Sequence, residues 1–238
     1  MRDRDARAVR GDAPAGTRFD LFGTLVEVDR PPNPGAAVAA ELEARGVTVP
    51  PDWEEAYLTS QVDTRPGREV SLPEHVRAIL EARDALPTES EVIDGGVASS
   101  EAEVIREAVL AAFDSPVRTR DGAIAAVRAA ADRGPVGVLS NCSVPGLVDQ
   151  TLDRSALDPD RFDAVAASVA CGWRKPDARA FETIADRLGV PVAGLLHVGD
   201  DPETDGGAID AGANALLLED VTLEAFPEFI TESEGNWG

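Results

Sequence analysis

From residue 121 onward the chain alternates between short apolar runs and amphipathic segments, and this alternation restricts the possible folds more than any other feature. Apolar periodicity predicts helices over 122–133, 144–152, 178–188 and 204–211. Strands are predicted between them, over 136–139, 164–169, 195–198 and 215–218. Repeated strand–helix units imply a parallel sheet with right-handed crossovers, so we predict an α/β fold with a Rossmann-like core.

A further strand is predicted far upstream, where apolar residues lead up to Asp20 and Gly23 then breaks the extended pattern. Asp20 would lie at the carboxyl edge of the sheet, which is where open α/β sheets bind ligands. Alternatively, Asp20 only caps the turn. Residues 16–18 are Gly, Thr and Arg, where a buried parallel strand is normally apolar, and the sequence offers no physical reason for them.

A mostly helical block separates this strand from the alternating region. Helical periodicity runs over 36–45, 53–57, 74–86 and 101–113, with breaks at Pro66-Gly67 and Gly95-Gly96. We therefore predict a helical block over 31–114, inserted into an α/β core made of 17–30 and 115–238. Residues 1–16 lack periodicity and are expected to form a flexible tail, and residues after 223 are expected to be peripheral.

The composition is strongly acidic, with 44 Asp and Glu against 22 Lys and Arg and a formal net charge of −22. This charge disfavours nucleic acid and anionic membranes as partners. Lys175 is the only lysine, and an acidic, lysine-poor chain suggests a halophilic protein, because salt near 1 M screens charges beyond about 3 Å. No apolar run approaches membrane-spanning length, and no signal-peptide core is seen. We expect a cytoplasmic monomer or homodimer.

Polar residues follow the predicted strands at their carboxyl ends. They are Asp20, Ser140, Asn141, Lys175, Asp200, Asp201 and Asp205. Neighbouring strands lie about 4.8 Å apart, so these side chains can converge at one edge of the sheet. Carboxylates about 4 Å apart repel by roughly 4 kcal/mol at an effective dielectric constant of 20, so the acids would need a cation.

Clustered carboxylate oxygens suit Mg²⁺, so the sequence predicts a magnesium site. Alternatively, Asp201 and Asp205 begin the following helix while Asp200 faces solvent. Lys175 is interpreted as a functional ammonium beside these carboxylates; alternatively, its position is chance, since a single lysine must lie somewhere in the chain. We favour the magnesium site and the functional ammonium over these alternatives.

Four motifs occur in order along the chain: Asp20-Leu21-Phe22-Gly23-Thr24, Ser140 after an apolar strand, Gly172-Trp173-Arg174-Lys175-Pro176, and Gly199-Asp200-Asp201-Pro202-Glu203-Thr204-Asp205. Together they resemble the haloacid dehalogenase-like (HAD) hydrolase superfamily, with the helical block in the place of a C1-type cap. The resemblance implies that Asp20 is the nucleophile, that Ser140 holds the transferred group and that Lys175 steadies the nucleophile. It also implies substrate contacts and a magnesium site. The substrate-contact residues would be Gly23, Thr24 and Asn141, and the magnesium ligands would be Asp20, the carbonyl of Phe22, Asp200, Asp201 and Asp205.

Phe22 departs from the pattern of the family's phosphatases, which usually carry a second aspartate there as general acid and base. L-2-haloacid dehalogenases resemble this chain in having an aromatic residue at that place, and their halide leaving group needs no proton. That subgroup generally lacks the acidic pair of the fourth motif, which this chain has. Because magnesium ligands serve an anionic phosphate substrate, we favour a Mg²⁺-dependent phosphatase that acts on a small phosphorylated metabolite through an aspartyl-phosphate.

Two alternatives remain open: a 2-haloacid dehalogenase using Asp20, and a catalytically impaired HAD-fold protein that binds a ligand. His75 is a possible proton donor in the cap, although a packed or surface histidine is the favoured reading, and His197 is expected in the core. Cys142 and Cys171 are not expected to form a disulfide framework or a zinc site. Four cap residues could line the site, although aromatics at helical spacing are more often core. They are Trp53, Tyr57, Arg65 and Arg68.

Overall fold

A computed structural model describes residues 14–59, 62, 65–86, 93–94, 97–98 and 100–232. The strands are β1 (Gly16–Phe19), β2 (Val26–Val28), β3 (Ile93–Asp94), β4 (Val97–Ala98), β5 (Val117–Thr119), β6 (Val136–Ser140), β7 (Ala164–Ala167), β8 (Leu195–Gly199) and β9 (Asn214–Leu217). The helices are α1 (Pro34–Ala44), α2 (Trp53–Leu58), α3 (Leu72–Glu81), α4 (Glu101–Ala112), α5 (Ala123–Ala131), α6 (Leu147–Arg154), α7 (Ser168–Cys171), α8 (Ala178–Leu188), α9 (Gly207–Asp210) and α10 (Phe226–Glu232).

The chain divides into two compact units. The first comprises the described residues up to Val28, Val117–Cys142, and the described residues from Val148 onward. The second comprises the described residues of Asp29–Pro116 together with Ser143–Leu147, a segment that lay in the core by the sequence-based division. Most of the predicted tail 1–16 lies outside the described residues, but Gly16 is buried as the first residue of β1.

A five-stranded sheet organises the first unit, with strand order β7-β6-β1-β8-β9. Its strands are parallel, and β1 lies in the middle, where Phe19 pairs with Val138 on β6 and with Val198 on β8. Helices α5, α8 and α9 pack on the sheet. The prediction of a parallel α/β core is therefore confirmed. The central position of β1 places Asp20 at the middle of the carboxyl edge.

Successive residues of β1 face opposite layers of helices. Phe19 meets the ring of Phe226 on α10 edge to face, with centroids 5.6 Å apart. Arg18 instead lies over the ring of Phe181 on α8. The prediction that residues after 223 are peripheral was wrong, because Phe226 and Ile230 are buried and α10 packs against α5. The C-terminal helix supplies one wall of the core.

Local hydrogen bonds shift several predicted boundaries. The strand predicted over 164–169 stops at Ala167, because the Ser168 hydroxyl is held by the backbone N–H and carbonyl of Cys142 and α7 begins there. The helix predicted over 204–211 shrinks to α9, since the residues before it form turns around the Asp205 carboxylate. The sequence-based assignment also missed the antiparallel pair β2–β5.

The second unit is mostly helical, and three of its helices begin at residues whose side chains cap them. Asn33 caps α1 and Ser71 caps α3, while Ser100 and Glu103 form a reciprocal capping box on α4. These helices bury an apolar core that includes Val38, Leu42, Val76, Ile79, Val104 and Ile105.

Two of the residues named above as possible cap residues make their contacts within this unit. Trp53 is buried and donates its indole N–H to the Gly35 carbonyl. His75 packs edge-on against Tyr57, as the favoured reading of that histidine expected. In the part of the chain that the structure describes, no helix is long and apolar enough to cross a membrane.

Candidate active site

The turn after β1 presents Asp20 at the carboxyl edge of the sheet. The Asp20 N–H still donates to the Val198 carbonyl of β8, 2.8 Å away, so the sheet holds its backbone. The amides of Leu25 and Val26 then both donate to the Leu21 carbonyl and close a tight turn. Asp20 is thus the last residue positioned by the sheet before the chain turns away.

Gly23 is required in this turn for two independent reasons. Its φ of +92° lies in the left-handed region that side chains disfavour. A Cβ at this position would also lie 2.5 Å from Oδ2 of Asp200. The neighbouring Thr24 hydroxyl donates to Oδ1 of Asp200 at 2.8 Å. Gly23 and Thr24, predicted as substrate contacts, therefore bring the Asp200 carboxylate close to the first motif.

Lys175 is buried between two carboxylates. Its Nζ lies 2.7 Å from Oδ1 of Asp20 and 2.5 Å from Oδ1 of Asp205. Burial opposes the charge on this ammonium, but the attraction of Asp20 and Asp205 outweighs it and raises the pKa of Lys175. The sole lysine of the chain is thus a charged link between the first and fourth motifs.

Asn141 fixes the backbone of Lys175. Its side-chain Oδ1 accepts the Lys175 N–H at 2.8 Å, and its Nδ2 donates to the Lys175 carbonyl at 2.9 Å. The predicted substrate contact therefore has both amide groups engaged with the third motif. The Ser140 hydroxyl, by contrast, is buried and has no hydrogen-bond partner among the described residues. Such a hydroxyl is available to a ligand.

Both oxygens of Asp205 are already in use. Oδ1 accepts from Lys175 and from Nε2 of His197, the latter at 2.8 Å. Oδ2 accepts the backbone N–H groups of Asp200 at 3.1 Å and Asp201 at 3.0 Å. Burial alone would raise the pKa of Asp205, but the hydrogen bond from His197 and the charge of Lys175 lower it. Asp205 is therefore an ionised anchor for the loop that carries Asp200.

Three carboxylates converge tightly enough to hold a metal ion. One oxygen each of Asp20, Asp200 and Asp205 lies within 4.8 Å of the others. Burial, with the nearby charge of Asp205, raises the pKa of Asp20 to about 6, although Lys175 lowers it. An oxygen-only, like-charged cluster of this kind fits Mg²⁺, with Asp20 and the exposed Asp200 as the acids whose oxygens are least engaged. The Phe22 carbonyl remains the predicted backbone ligand.

Asp201 is not brought into this cluster. Its carboxylate accepts the Glu203 N–H at 2.8 Å and the Thr204 hydroxyl at 3.0 Å, which is the geometry of a turn cap. The capping alternative therefore describes Asp201, although it was offered for Asp205 as well.

The cysteines form no disulfide with each other, and the Cys171 thiol donates to the Trp173 carbonyl at 3.2 Å.

Sequence reasoning missed the part played by His197 and Arg18. His197 was expected to be only a core residue, and it is buried, but its Nε2 also contacts Asp205. Its place in the strand just before the fourth motif was the available signal. Arg18, the unexplained polar residue of β1, is fully buried on the same face.

Comparison with known families agrees with this geometry. The family model for haloacid dehalogenase-like hydrolases matches residues 19–212, which span all four motifs. The chain belongs to the haloacid dehalogenase-like hydrolase family. The resemblance drawn from the motifs is therefore confirmed, and the family is one of hydrolases.

Curated relatives of this family member match over short stretches. Phosphatase MT3486 of Mycobacterium tuberculosis is 38% identical over 84 residues, which are 35% of this chain and 38% of that protein. The 5-amino-6-(5-phospho-D-ribitylamino)uracil phosphatase YigB of Escherichia coli is 40% identical over 60 residues, 25% of each protein. The matches thus span well under half the length of either relative.

Solved structures share the fold over most of the chain. The 2-haloacid dehalogenase of Pseudomonas syringae has a TM-score of 0.64 at 20% identity, covering 91% of this chain and 97% of that one. CbbY from Rhodobacter sphaeroides, solved with phosphate, has a TM-score of 0.54 at 17% identity, covering 86% and 85%. At these identities the likeness establishes the fold alone. A dehalogenase and a protein solved with phosphate both have this fold.

Proposed function

We propose that this protein is a Mg²⁺-dependent phosphatase of a small phosphorylated metabolite, and that its helical unit is a cap of the C1 type. The observation that carries the proposal is the Asp200 carboxylate, which Thr24 and the closely packed Gly23 bring next to Asp20. A second acid beside the nucleophile repels it unless a cation is present. A cation is useful when the substrate itself is an anionic phosphate. The phosphatases among the curated relatives support the same reading.

Asp20 is the nucleophile in this proposal. Its carboxylate oxygen attacks phosphorus, and the bond from phosphorus to the leaving oxygen breaks as the aspartyl-phosphate forms. Water then attacks the phosphorus, which releases phosphate and restores the carboxylate. Lys175, already 2.7 Å from Asp20, keeps the nucleophile ionised and oriented. The unpartnered Ser140 hydroxyl would donate to a phosphoryl oxygen.

Bound magnesium would supply positive charge against the phosphoryl oxygens and would be held by Asp20, Asp200 and the Phe22 carbonyl. Asp205 acts indirectly, because its oxygens already accept hydrogen bonds from Lys175 and from the loop amides. The ligand set proposed from the structure is therefore smaller than the one proposed from the sequence.

Phe22 determines which substrates we expect to react. It cannot protonate a leaving oxygen, and loss of a general acid typically slows a reaction by about 10²–10⁴-fold. Phosphate esters with good leaving groups should therefore be preferred. The same residue is the observation that favours the second candidate, a 2-haloacid dehalogenase, in which the Asp20 carboxylate displaces halide from carbon and water hydrolyses the resulting ester.

The test is phosphate release from a panel of phosphorylated metabolites and an activated aryl phosphate, with and without Mg²⁺, in molar KCl. Molar salt is chosen because a net charge of −22 needs screening. We expect Mg²⁺-dependent release, and we expect Asp20→Asn to lower it by about 10⁴-fold or more. Circular dichroism in molar and in low salt tests the halophilic reading separately, with loss of structure expected on desalting.

Asp200→Asn and Asp201→Asn form a matched pair. Both remove one negative charge from adjacent residues, but only Asp200 belongs to the converging cluster. Asp200→Asn should raise the Mg²⁺ concentration needed for half-maximal rate by at least about tenfold, whereas Asp201→Asn should leave it nearly unchanged. Equal effects from the two variants would contradict the proposed ligand set.

If folded protein releases no phosphate from any substrate of the panel, the proposal of a phosphatase is wrong. Halide release from 2-haloacids, independent of Mg²⁺ and abolished in Asp20→Asn, would then establish the dehalogenase. Absence of both activities would favour a ligand-binding protein with an impaired site.

A further inference from the structure

Arg18 is a buried cation in the central strand of the sheet. Its side chain is fully buried, and its guanidinium carbon lies 4.6 Å from the centre of the Phe181 ring. Nη1 reaches the Phe181 carbonyl at 3.5 Å, while Nε and Nη2 have no hydrogen-bond partner among the described residues. Burying a charge with unsatisfied N–H groups is unfavourable for folding, so packing alone does not account for this residue.

Arg18 adds a positive charge to the buried set that includes Asp205, because it pairs with His197, whose ring contacts that carboxylate. Burial lowers the pKa of Arg18 to about 9, and the attraction of Asp205 opposes that fall. The charges of the buried side chains balance, because the two anions Asp20 and Asp205 are matched by the two cations Lys175 and Arg18. Without Arg18, Lys175 would be the only buried cation among the described residues to offset both carboxylates.

His197 lies beside Arg18 on the neighbouring strand. The two residues pair across β1 and β8, so their side chains share one face of the sheet. The His197 ring packs edge-on against Phe181 and places Nε2 2.8 Å from Oδ1 of Asp205. Burial, with the charges of Arg18 and Lys175, lowers the pKa of His197 to about 3 and keeps the ring neutral.

The tautomer of His197 follows from its partner. An ionised carboxylate can only accept hydrogen bonds, so the proton of the neutral ring must be on Nε2, pointing at Asp205. Nδ1 then carries a lone pair, and it has no partner among the described residues. His197 is therefore a fixed donor to Asp205, whose same oxygen also accepts from Lys175.

We infer that Arg18 and His197 are positioning residues that hold the Asp205 carboxylate, and through it the Lys175 ammonium, in place against Asp20. His197 supplies the hydrogen bond that orients the carboxylate, and Arg18 supplies the charge that balances it. The kinetic consequence rests on the proposed function, but the positioning itself does not, so the two can be tested apart.

The single lysine makes the positioning directly measurable. Labelling with [¹⁵N]lysine marks Lys175 alone, and NMR then reports the shift and hydrogen exchange of one buried ammonium. In His197→Leu we expect a moved Nζ signal and exchange faster by about tenfold, the factor that corresponds to loss of one hydrogen bond. In His197→Gln, which can still donate to Asp205, we expect the signal to return towards that of the wild type.

The matched control is the only other histidine of the chain. His75 lies in the second unit, where its Nε2 contacts the Tyr57 carbonyl at 3.0 Å. His75→Gln should therefore leave the Lys175 signal unchanged. A shift as large as that in His197→Leu would mean that the Lys175 signal responds to the loss of either histidine ring, which would overturn the inference.

Arg18→Met separates positioning from packing. Methionine keeps an apolar stem against Phe181, so the packing is retained, but it removes the charge that offsets the buried Asp205 carboxylate, and we expect the melting temperature to fall. The Lys175 signal of the folded variant should move. Phosphate release should fall by about 10–100-fold, as is typical when a residue that supports a site is lost.

The outcomes distinguish the two proposals. A Lys175 signal that stays unchanged in folded Arg18→Met and His197→Leu would overturn the inference, whatever the activity. A signal that moves in a protein that releases no phosphate would support the positioning and reject the proposed phosphatase. If His197→Leu does not fold, Arg18→Met still decides the matter, because an unchanged Lys175 signal in that variant overturns the inference.

Discussion

The first unit buries five charged or imidazole side chains at and beneath one edge of its sheet, whereas the ion pairs of the second unit lie at its surface. The buried set is Arg18, Asp20, Lys175, His197 and Asp205. In the second unit the described pairs include Arg77 with Glu81 and Glu101, whose side chains are 26% to 58% exposed. Among its described residues, no charged side chain is buried.

This difference separates charges that shape a site from charges that keep a surface solvated. A buried ion pair seldom stabilises a fold relative to apolar residues of the same size, because desolvation offsets the attraction. An exposed pair is nearly neutral for stability. The buried groups around Asp20 thus fit the nucleophilic role proposed for that carboxylate, and the second unit derives its stability from its apolar interior.

The largest effect should come from Lys175→Met in metal-free protein. The change leaves the buried carboxylates of Asp20 and Asp205 without the ammonium that both contact. Removing one partner of a buried pair typically lowers the free energy of unfolding by about 3–5 kcal/mol. Urea denaturation in molar KCl would measure this, and a loss below about 1 kcal/mol would place Lys175 with the surface charges.

Asp20 should make stability depend on pH in the metal-free state. Its pKa of about 6 lies above the ordinary value of 3.8, so between these values the folded protein holds a proton that the unfolded chain has released. Stability from this group is therefore lost as pH rises from about 4 to about 6, by roughly 1–3 kcal/mol. The difference in unfolding free energy between wild type and Asp20→Asn, followed across that range, isolates the effect. A constant difference would contradict it.

Gly23→Ala should weaken both the turn and the proposed metal site. A left-handed backbone costs a residue with a Cβ about 1–2 kcal/mol, and the new methyl group would displace the Asp200 carboxylate. We expect lower stability and weaker Mg²⁺ binding by calorimetry. Gly46→Ala, also at positive φ but with no atom within 4 Å of the added Cβ, is the matched control and should lower stability alone.

The smallest effect should come from Arg77→Met in the second unit. Arg77 contacts two exposed carboxylates, and such pairs contribute no more than about 1 kcal/mol. Thermal unfolding at low and molar salt would detect the change. A loss of stability as large as that expected for Lys175→Met would remove the distinction between the buried charges of the first unit and the surface charges of the second.

The sequence predicted the parallel core, the helical block and the converging strand ends, because these depend on local periodicity and on the geometry common to parallel sheets. It did not predict α10 as a wall of the core, since a helix of seven residues is too short to show a strong periodic pattern. It also treated Asp200, Asp201 and Asp205 as one set of ligands. The structure groups Asp200 and Asp205 with Asp20, whereas the adjacent Asp201 carboxylate caps the turn, because neighbouring residues in a turn point in different directions.

What the residue order decided, then, is the family, the sheet and the position of Asp20 at its edge, because four motifs at strand ends can meet only there. The tertiary structure alone determined which buried charged side chains lie next to one another beneath that edge. Arg18, His197 and Asp205 come from β1, β8 and the loop after β8, and only parallel pairing sets the first two side by side. Hydrogen bonds between side chains distant in sequence depend on packing, for which a linear pattern carries no signal.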